Sequence, residues 1–512
     1  MSLSANRAPR GSTGRVLFWL VMLFGAYWIP RGLQSNADSH LALTFALVEH
    51  HTARIDPYAA HLLDKAVYCG PHTDMDTCKH YYTDKAPGIS LWAAAVYAVL
   101  RPVLPPSMMP TGPTADRFLL RWLLTLLCIT APCAAFAATL WRFGRRFAPQ
   151  GAVLLLVIAY AFGSMALAFS VLLFSHALVA ALLFWAFMLL FAVHGTDHGR
   201  AAALSDPPVG PEPLRTARGG MKASIMGGVL AGYAIGCEYP AAIIACLLGL
   251  YILGVDGSGR TRIARAAAYA GGIAVGFAPA EIYNLIAFHT WFAGGYTHLT
   301  DPYYAHGMAR GILGVGLPQW NAIWGTTFSP FRGLFILSPW LLLAGPGLVK
   351  MGRRGLGHEA WLCGLVSAAY FLFQAGYAFW DGGASVGPRH FLPALPFLAF
   401  PVLFAFTDVR LRRVGRYLIA FSVIQLALVV MTNPLYGDPR YVPNVMIPFL
   451  DQTMHDLAIG RLQNNWGMVF GLPSYASLIP LILLVLLAAR RLHVYLEASR
   501  HEMKGADRST RR

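Results

Sequence analysis

Residues 147–196 read FAPQGAVLLLVIAYAFGSMALAFSVLLFSHALVAALLFWAFMLLFAVHGT, a run without one Asp, Glu, Lys or Arg. A helix crosses the ~30 Å hydrocarbon core of a bilayer with about 20 apolar residues. This run is too apolar for water and too long for one span. Gly163, Ser164, Ser170, Ser175 and His176 near its middle supply the small and polar side chains of a turn. The run therefore predicts a membrane hairpin with limbs at 150–168 and 177–193.

The same reading extends outward in both directions. Apolar runs of span length cover 16–33, 117–140, 267–289, 333–350, 359–378, 391–406, 417–434 and 475–490. Between Lys222 and Asp256 the one charge is Glu238, followed by Tyr239 and Pro240, which predicts two short helices, 223–236 and 240–254, meeting at a polar apex. The fold class expected is an all-α polytopic membrane protein with about twelve spans. Composition agrees, with 56% hydrophobic and 12% charged residues against roughly 25% charged in soluble domains. An ordinary soluble enzyme is excluded, and the recurring apolar runs exclude disorder.

Forty Lys and Arg against 24 Asp and Glu give a net charge of +16. Because the surplus lies between apolar runs, it reads as a topology code and not as a nucleic-acid surface. The run 87–104 is apolar, but if it crossed, nearly every basic cluster would move outside. It is read instead as a helix lying along the outer surface. Arg7, Arg10 and Arg15 then share the inside with Arg142/Arg145/Arg146, Arg200/Arg215/Arg218/Lys222, Arg260/Arg262/Arg265, Lys350/Arg353/Arg354, Arg410/Arg412/Arg413/Arg416 and the basic tail from Arg490. This places both termini in the cytoplasm and the chain in the inner (plasma) membrane. The first segment has no cleavage pattern, so no signal peptide is expected. The Ala-, Pro- and Gly-rich linker 199–220 reads as a mobile cytoplasmic loop.

Polar residues that this code does not explain gather in the first outer segment, 34–116. Asp38 opens a helix just past the first span. It suits a cap on free backbone N–H groups or a general base at the membrane rim. Farther on stands Tyr81-Tyr82-Thr83-Asp84-Lys85-Ala86-Pro87-Gly88. Lys85 either snorkels at the interface or meets a lipid-linked phosphate, and Asp84 beside it either orients Lys85 or binds metal. The stretch Trp380-Asp381-Gly382-Gly383-Ala384-Ser385-Val386-Gly387-Pro388-Arg389-His390 combines glycine bends with a fixed cation. An arginine on the outer side needs a partner. Phosphate fits its planar fork, while Asp381 or Glu238 would be the purely structural partner. Glu238 is a carboxylate at the membrane edge, by default a functional candidate, and His176 suits a hydrogen-bonded helix position. The aromatic residues of 291–332 suit an interface belt or stacking on a sugar or isoprenoid.

Cys69 and Cys78 both fall in the outer segment, where oxidising conditions permit a disulfide. A rival is a metal set of Cys69, His72, Asp74, Asp76, Cys78 and His80, whose spacing matches no standard zinc pattern. The other five cysteines read as small apolar fillers.

Taken together, Asp38 beyond the first span, the long first outer loop, the Tyr82–Gly88 segment before a juxtamembrane helix, and the Trp380…Gly387-Pro388-Arg389 loop resemble the polytopic GT-C glycosyltransferases. The branch they look most like holds the protein-mannosyltransferases and aminoarabinose transferases (glycosyltransferase family 39-like). The similarity is spread over most of 16–406, strongest in 16–105 and 267–400. It implies a catalytic module over 1–406 and C-terminal helices with a basic tail over 407–512. It further implies a polyprenyl-phosphate-linked sugar donor, a lipid, glycan or protein acceptor, and inverting transfer on the outer face. Asp38 would match the catalytic residue, and Lys85 with Arg389 would meet the donor phosphate. Tyr82, Asp84, His176, Glu238, Asp381 and His390 would support them. The usual acidic pair is here Asp38-Ser39, with one carboxylate, which leaves a divalent metal as an open requirement and implies no other cofactor. The rival class is a transporter or lipid flippase, which needs ionisable residues spread through the spans as a path. Here they collect at one rim. A scaffold whose loop only binds partners is a third reading.

Overall fold

The computed structural model describes residues 12–29, 34–70, 77–78, 80–110, 118–194, 217–254, 258–442 and 445–510. The linker 199–216, Arg7 and Arg10 of the first basic cluster, and the candidate ligands His72, Asp74 and Asp76 lie outside these residues.

The chain is an all-helical polytopic membrane protein. Its principal helices in chain order are α1 (Ser12–Tyr27), α2 (Ser35–Glu49), α3 (Gly88–Leu100), α4 (Phe118–Gly144), α5 (Gln150–Phe162), α6 (Ser175–His194), α7 (Ala217–Cys237), α8 (Ala241–Leu253), α9 (Gly259–Phe288), α10 (Gly357–Gly376), α11 (Val409–Thr432) and α12 (Ile479–Thr510). Among the described residues, α4, α6, α9, α11 and the start of α12 are long and apolar enough to cross a membrane. The sole described sheet is a two-residue antiparallel ladder, β1 (Ala66–Val67) with β2 (Tyr81–Tyr82).

Each expected span overlaps helix among its described residues, but not all are continuous helices; in 16–33 the helix ends at Tyr27, and residues 30–33 lie outside the described residues. The first limb of the 147–196 hairpin ends at Phe162, because Gly163 turns the chain out of helical geometry. The Gly163 carbonyl then accepts from Ser338 Oγ (3.0 Å) and Trp340 Nε1 (2.6 Å), so its freed acceptor stays satisfied. Expected span 333–350 is broken into Leu334–Leu337, Pro339–Leu343 and Ala344–Arg353. Expected span 391–406 is broken more severely, into short turns at Arg389–Ala394, Leu395–Ala399 and Val402–Ala405. Pro393, Pro396 and Pro401 each remove a backbone donor there. Such backbone is tolerated at membrane depth only where protein encloses it, and Phe391 through Phe406 are buried throughout. In α4, a π-turn at Leu126–Thr130 precedes Pro132, the same deficit absorbed locally.

Helices α7 and α9 touch backbone to backbone. A Cβ at Gly232 would lie 2.2 Å from the Ile273 carbonyl oxygen, and one at Gly276 would lie 2.1 Å from that of Val229. Only glycine permits this approach, which in lipid replaces the missing hydrophobic drive between helices with dispersion contact. Its consequence is positional: the α7–α8 junction, which carries Glu238, is fixed against the C-terminal end of α9.

The apolar run 87–104 forms α3 and a following turn, Arg101–Val103. It packs on α2, and Arg101 holds Glu49 at 2.8 Å.

Candidate functional site

Following the helices from their arginine-bearing ends leads to one place. Arg260, Arg262 and Arg265 start α9, Arg410 to Arg416 start α11, and Arg142 ends α4. Beyond the opposite ends of α9 and α11, and just past α7 and α10, the chain lines a cavity of about 820 Å³. Its wall brings together residues distant in sequence, including Lys85, Glu238, Asp381, Arg389, Asp438 and Arg440.

The first part of the wall comes from the segment between α2 and α3. The β1–β2 ladder folds it back so that Asp64, just before β1, meets Asp84-Lys85, just after β2. A disulfide between Cys69 and Cys78, with Cα atoms 5.8 Å apart, closes this hairpin. Lys85 Nζ lies 2.9 Å from Asp64 Oδ2 and 3.0 Å from Asp84 Oδ2. Ser39 Oγ donates to Asp84 Oδ1 at 3.3 Å. Burial pushes the Asp84 carboxyl up to about 6, with Lys85 pulling it down and Asp64 adding to the rise. For Lys85 burial acts downward, but the two carboxylates outweigh it and hold the ammonium above its usual range. Lys85 therefore lines the cavity with its charge already matched.

Asp38 stands apart from this wall. Its carboxylate is ion-paired with Arg121 and accepts the Gln34 N–H at 2.9 Å. Asn36 and His40 of the same helix face the cavity instead. The phase of α2 explains this, since two positions along a helix turn a side chain about 200° round the axis. The base expected at Asp38 thus has no cavity-facing carboxylate. The cap expected there is also different, because Asp38 sits inside the first turn and reaches back to Gln34. Tyr82 packs on Phe288, with ring centroids 5.1 Å apart, and does not line the cavity.

The second part of the wall is the α7–α8 junction. Ser175 Oγ donates to Glu238, and His176 Nδ1 lies 2.8 Å from Glu238 Oε1, off the line a hydrogen bond prefers. The His390 ring is 5.4 Å from that of His176. Glu238 is thus engaged by Ser175 and His176, not by Arg389 or Lys85.

The third part is the loop after α10. Gly382 and Gly383 adopt φ of +75° and +60°, a left-handed turn that side-chain-bearing residues resist. Asp381 precedes the turn and accepts the Gly383 N–H at 2.8 Å. Arg389 follows it, with its guanidinium 5.4 Å above the Phe174 ring and one long contact, 3.5 Å, to the Ala384 carbonyl. Its Nε is buried without a hydrogen-bond partner. Among the described residues, no carboxylate comes within ion-pair distance of Arg389 and no cation within that distance of Asp381.

The fourth part was missed by sequence reasoning. Asp438 and Arg440 lie beyond position 406, yet both reach the cavity. Arg440 is bonded to Asp438 at 2.8 Å and to the Tyr304 hydroxyl at 2.7 Å. Asp64 was missed too. The aromatic residues of 291–332 divide: Tyr296, Tyr303 and Tyr304 line the cavity, while Trp291, Trp320 and Trp324 are exposed. Among the described residues, no three His, Cys, Asp or Glu side chains converge as a metal-ligand set.

Chemically, this is a concave site with tyrosine faces, one unmatched guanidinium and one unmatched carboxylate. No protein-family model and no curated relative matches the chain. A crystal structure of the Archaeoglobus fulgidus oligosaccharyltransferase in the apo form is similar at a TM-score of 0.46 and 11% identity, over 81% of this chain. The match spans 54%, about half, of that structure's length.

Proposed function

We propose that this cavity is the reaction centre of an integral-membrane glycosyltransferase of GT-C type, which moves a sugar from a polyprenyl-phosphate donor to an acceptor hydroxyl. The observation that carries the reading is the separation of Asp381 from Arg389. Two opposite charges on one short loop would normally pair, and here the glycine turn holds both at the cavity wall, unpaired by each other. Arg389 is half-buried, with its Nε enclosed and unpartnered; a guanidinium so placed without a counter-charge is costly, and its planar fork suits a phosphate.

In this reading, the donor phosphate sits on Arg389 and the sugar lies against the cavity tyrosines. The acceptor oxygen attacks the anomeric carbon as the carbon–oxygen bond to phosphate breaks, and configuration inverts. Arg389 neutralises the charge that the leaving lipid phosphate gains. The acceptor proton passes to a carboxylate facing the cavity, and Asp381, with neither a cation nor a histidine within ion-pair distance among the described residues, takes that role in place of Asp38. Lys85, held by Asp64 and Asp84, positions the loop and adds field to the phosphate. Acceptors of this chemistry are lipid, glycan or protein hydroxyls. The arginine clusters at the far helix ends support a cytoplasmic location for those ends and an outer, periplasmic location for the cavity.

The test is twofold. Mass spectrometry of envelope glycans and lipids from a strain lacking the protein is expected to miss one sugar modification. The purified protein is expected to restore it from a polyprenyl-phosphate donor. Ion-coupled uptake in vesicles without transfer would instead establish a transporter.

A further inference from the structure

Behind the Gly382–Gly383 turn lies a second cavity, of about 490 Å³, lined by Arg332, Gln425, Phe331, Ile336, Ile447 and Phe449. We propose that it binds an anionic membrane lipid, with the lipid's phosphate on Arg332 and its chain leaving past Ile336.

Arg332 is 1% exposed. Its Nη2 donates to the carbonyls of Gly383 (2.8 Å) and Gly437 (3.1 Å). Its Nε and Nη1 are buried with no hydrogen-bond partner, and so is the Gln425 amide oxygen. Among the described residues, no carboxylate lies within ion-pair distance of Arg332. The neighbouring Phe331 ring, with its centroid 4.8 Å from the guanidinium, offers only partial compensation. A buried cation with two idle N–H groups calls for an anion, and the fork geometry favours phosphate or carboxylate. The Tyr436 ring lies 5.9 Å from the guanidinium, and apart from the Tyr436 hydroxyl the remaining walls are apolar. Ile336 in its wall is 38% exposed, and Met446 and Leu450, next in sequence to the wall residues Ile447 and Phe449, are 78% and 53% exposed. That surface suits a hydrocarbon chain and not a free ion. Because Arg332 holds Gly383 and Gly437 together, an occupant here stiffens the two loops that carry Asp381, Arg389, Asp438 and Arg440.

The full chain, delipidated and placed in neutral detergent, is melted with phosphatidylglycerol, phosphatidylcholine or inorganic phosphate. Phosphatidylglycerol alone is expected to raise the melting temperature, by roughly 2–5 °C at saturating lipid. Ile336→Trp, which fills the mouth and leaves Arg332 in place, is expected to melt like the parent without lipid and to lose the shift. Native mass spectrometry is expected to find one phosphatidylglycerol retained by the parent and none by Ile336→Trp. Arg332→Met, if it folds, should behave likewise. An equal shift in the parent and Ile336→Trp, no shift with phosphatidylglycerol, or the same shift from millimolar phosphate would each overturn the proposal.

Discussion

Asp381 and Arg389 face one cavity from either side of a left-handed glycine turn, and no ion pair joins them. Elsewhere in the wall, charges are matched: Lys85 by Asp64 and Asp84, Arg440 by Asp438. The loop after α10 thus concentrates the uncompensated charge of both signs, and the proposed chemistry follows from that imbalance.

If Arg389 receives the departing phosphate, Arg389→Ala is expected to lower kcat/KM for sugar transfer by roughly 10²–10³, the cost of losing one preorganised electrostatic partner. Arg389→Lys keeps the charge but not the fork, and should fall between. Steady-state assays with a polyprenyl-phosphate sugar measure this, with melting temperature as the control for folding.

The two aspartates separate base from brace. Asp381→Asn is expected to cost about 10²–10⁴ in transfer rate with little change in stability. Asp38→Asn removes the charge that Asp38 sets against buried Arg121, so stability should fall, by up to about 3–5 kcal/mol, while the rate per folded molecule is retained. The reverse pattern would return the base to Asp38.

Asp84 makes a pH test. Its folded-state carboxyl, at about 6, lies above its ordinary 3.8. A carboxyl raised on folding contributes stability fully present below the lower value and lost as pH rises through the upper one. The melting temperature of the parent minus that of Asp84→Asn should therefore decline between pH 4 and pH 6. A flat difference across that window would remove the buried cluster as drawn.

The α7–α9 contact can be tested against a neighbouring glycine. Gly232→Val forces side-chain atoms into the Ile273 carbonyl, and overpacking of this kind costs about 1–3 kcal/mol or more. Gly271→Val, where a Cβ meets nothing within 4 Å, should be tolerated. Thermal melts of the two variants make the comparison.

Much of the architecture was legible because span length is a hard constraint. An apolar run of about 20 residues matches the thickness of the hydrocarbon core, and most of these runs hold long helices. The breaks were harder to read. Pro393, Pro396 and Pro401 announce that 391–406 cannot be one regular helix, but only the enclosing protein explains why broken backbone survives there. Arg389 stood out because an arginine at that helix end runs against the charge trend. Asp64, Asp438 and Arg440 did not, since a charge in a polar loop looks solvated until its partner is known. The Asp64–Lys85 pair depends on strands of two residues, too short to carry an alternating pattern. The direction of Asp38 depends on helical phase: Asn36 and His40, two residues away on either side, face the cavity, and Asp38 faces Arg121.

The most direct measurement is the affinity of the purified protein, in lipid nanodiscs, for a sugar-free polyprenyl phosphate. The parent is expected to bind it, and Arg389→Ala to bind at least ~10-fold more weakly, about 1.4 kcal/mol. Equal affinity in the two proteins, or none in the parent, would contradict a phosphate seat on Arg389 and with it the proposed reaction centre.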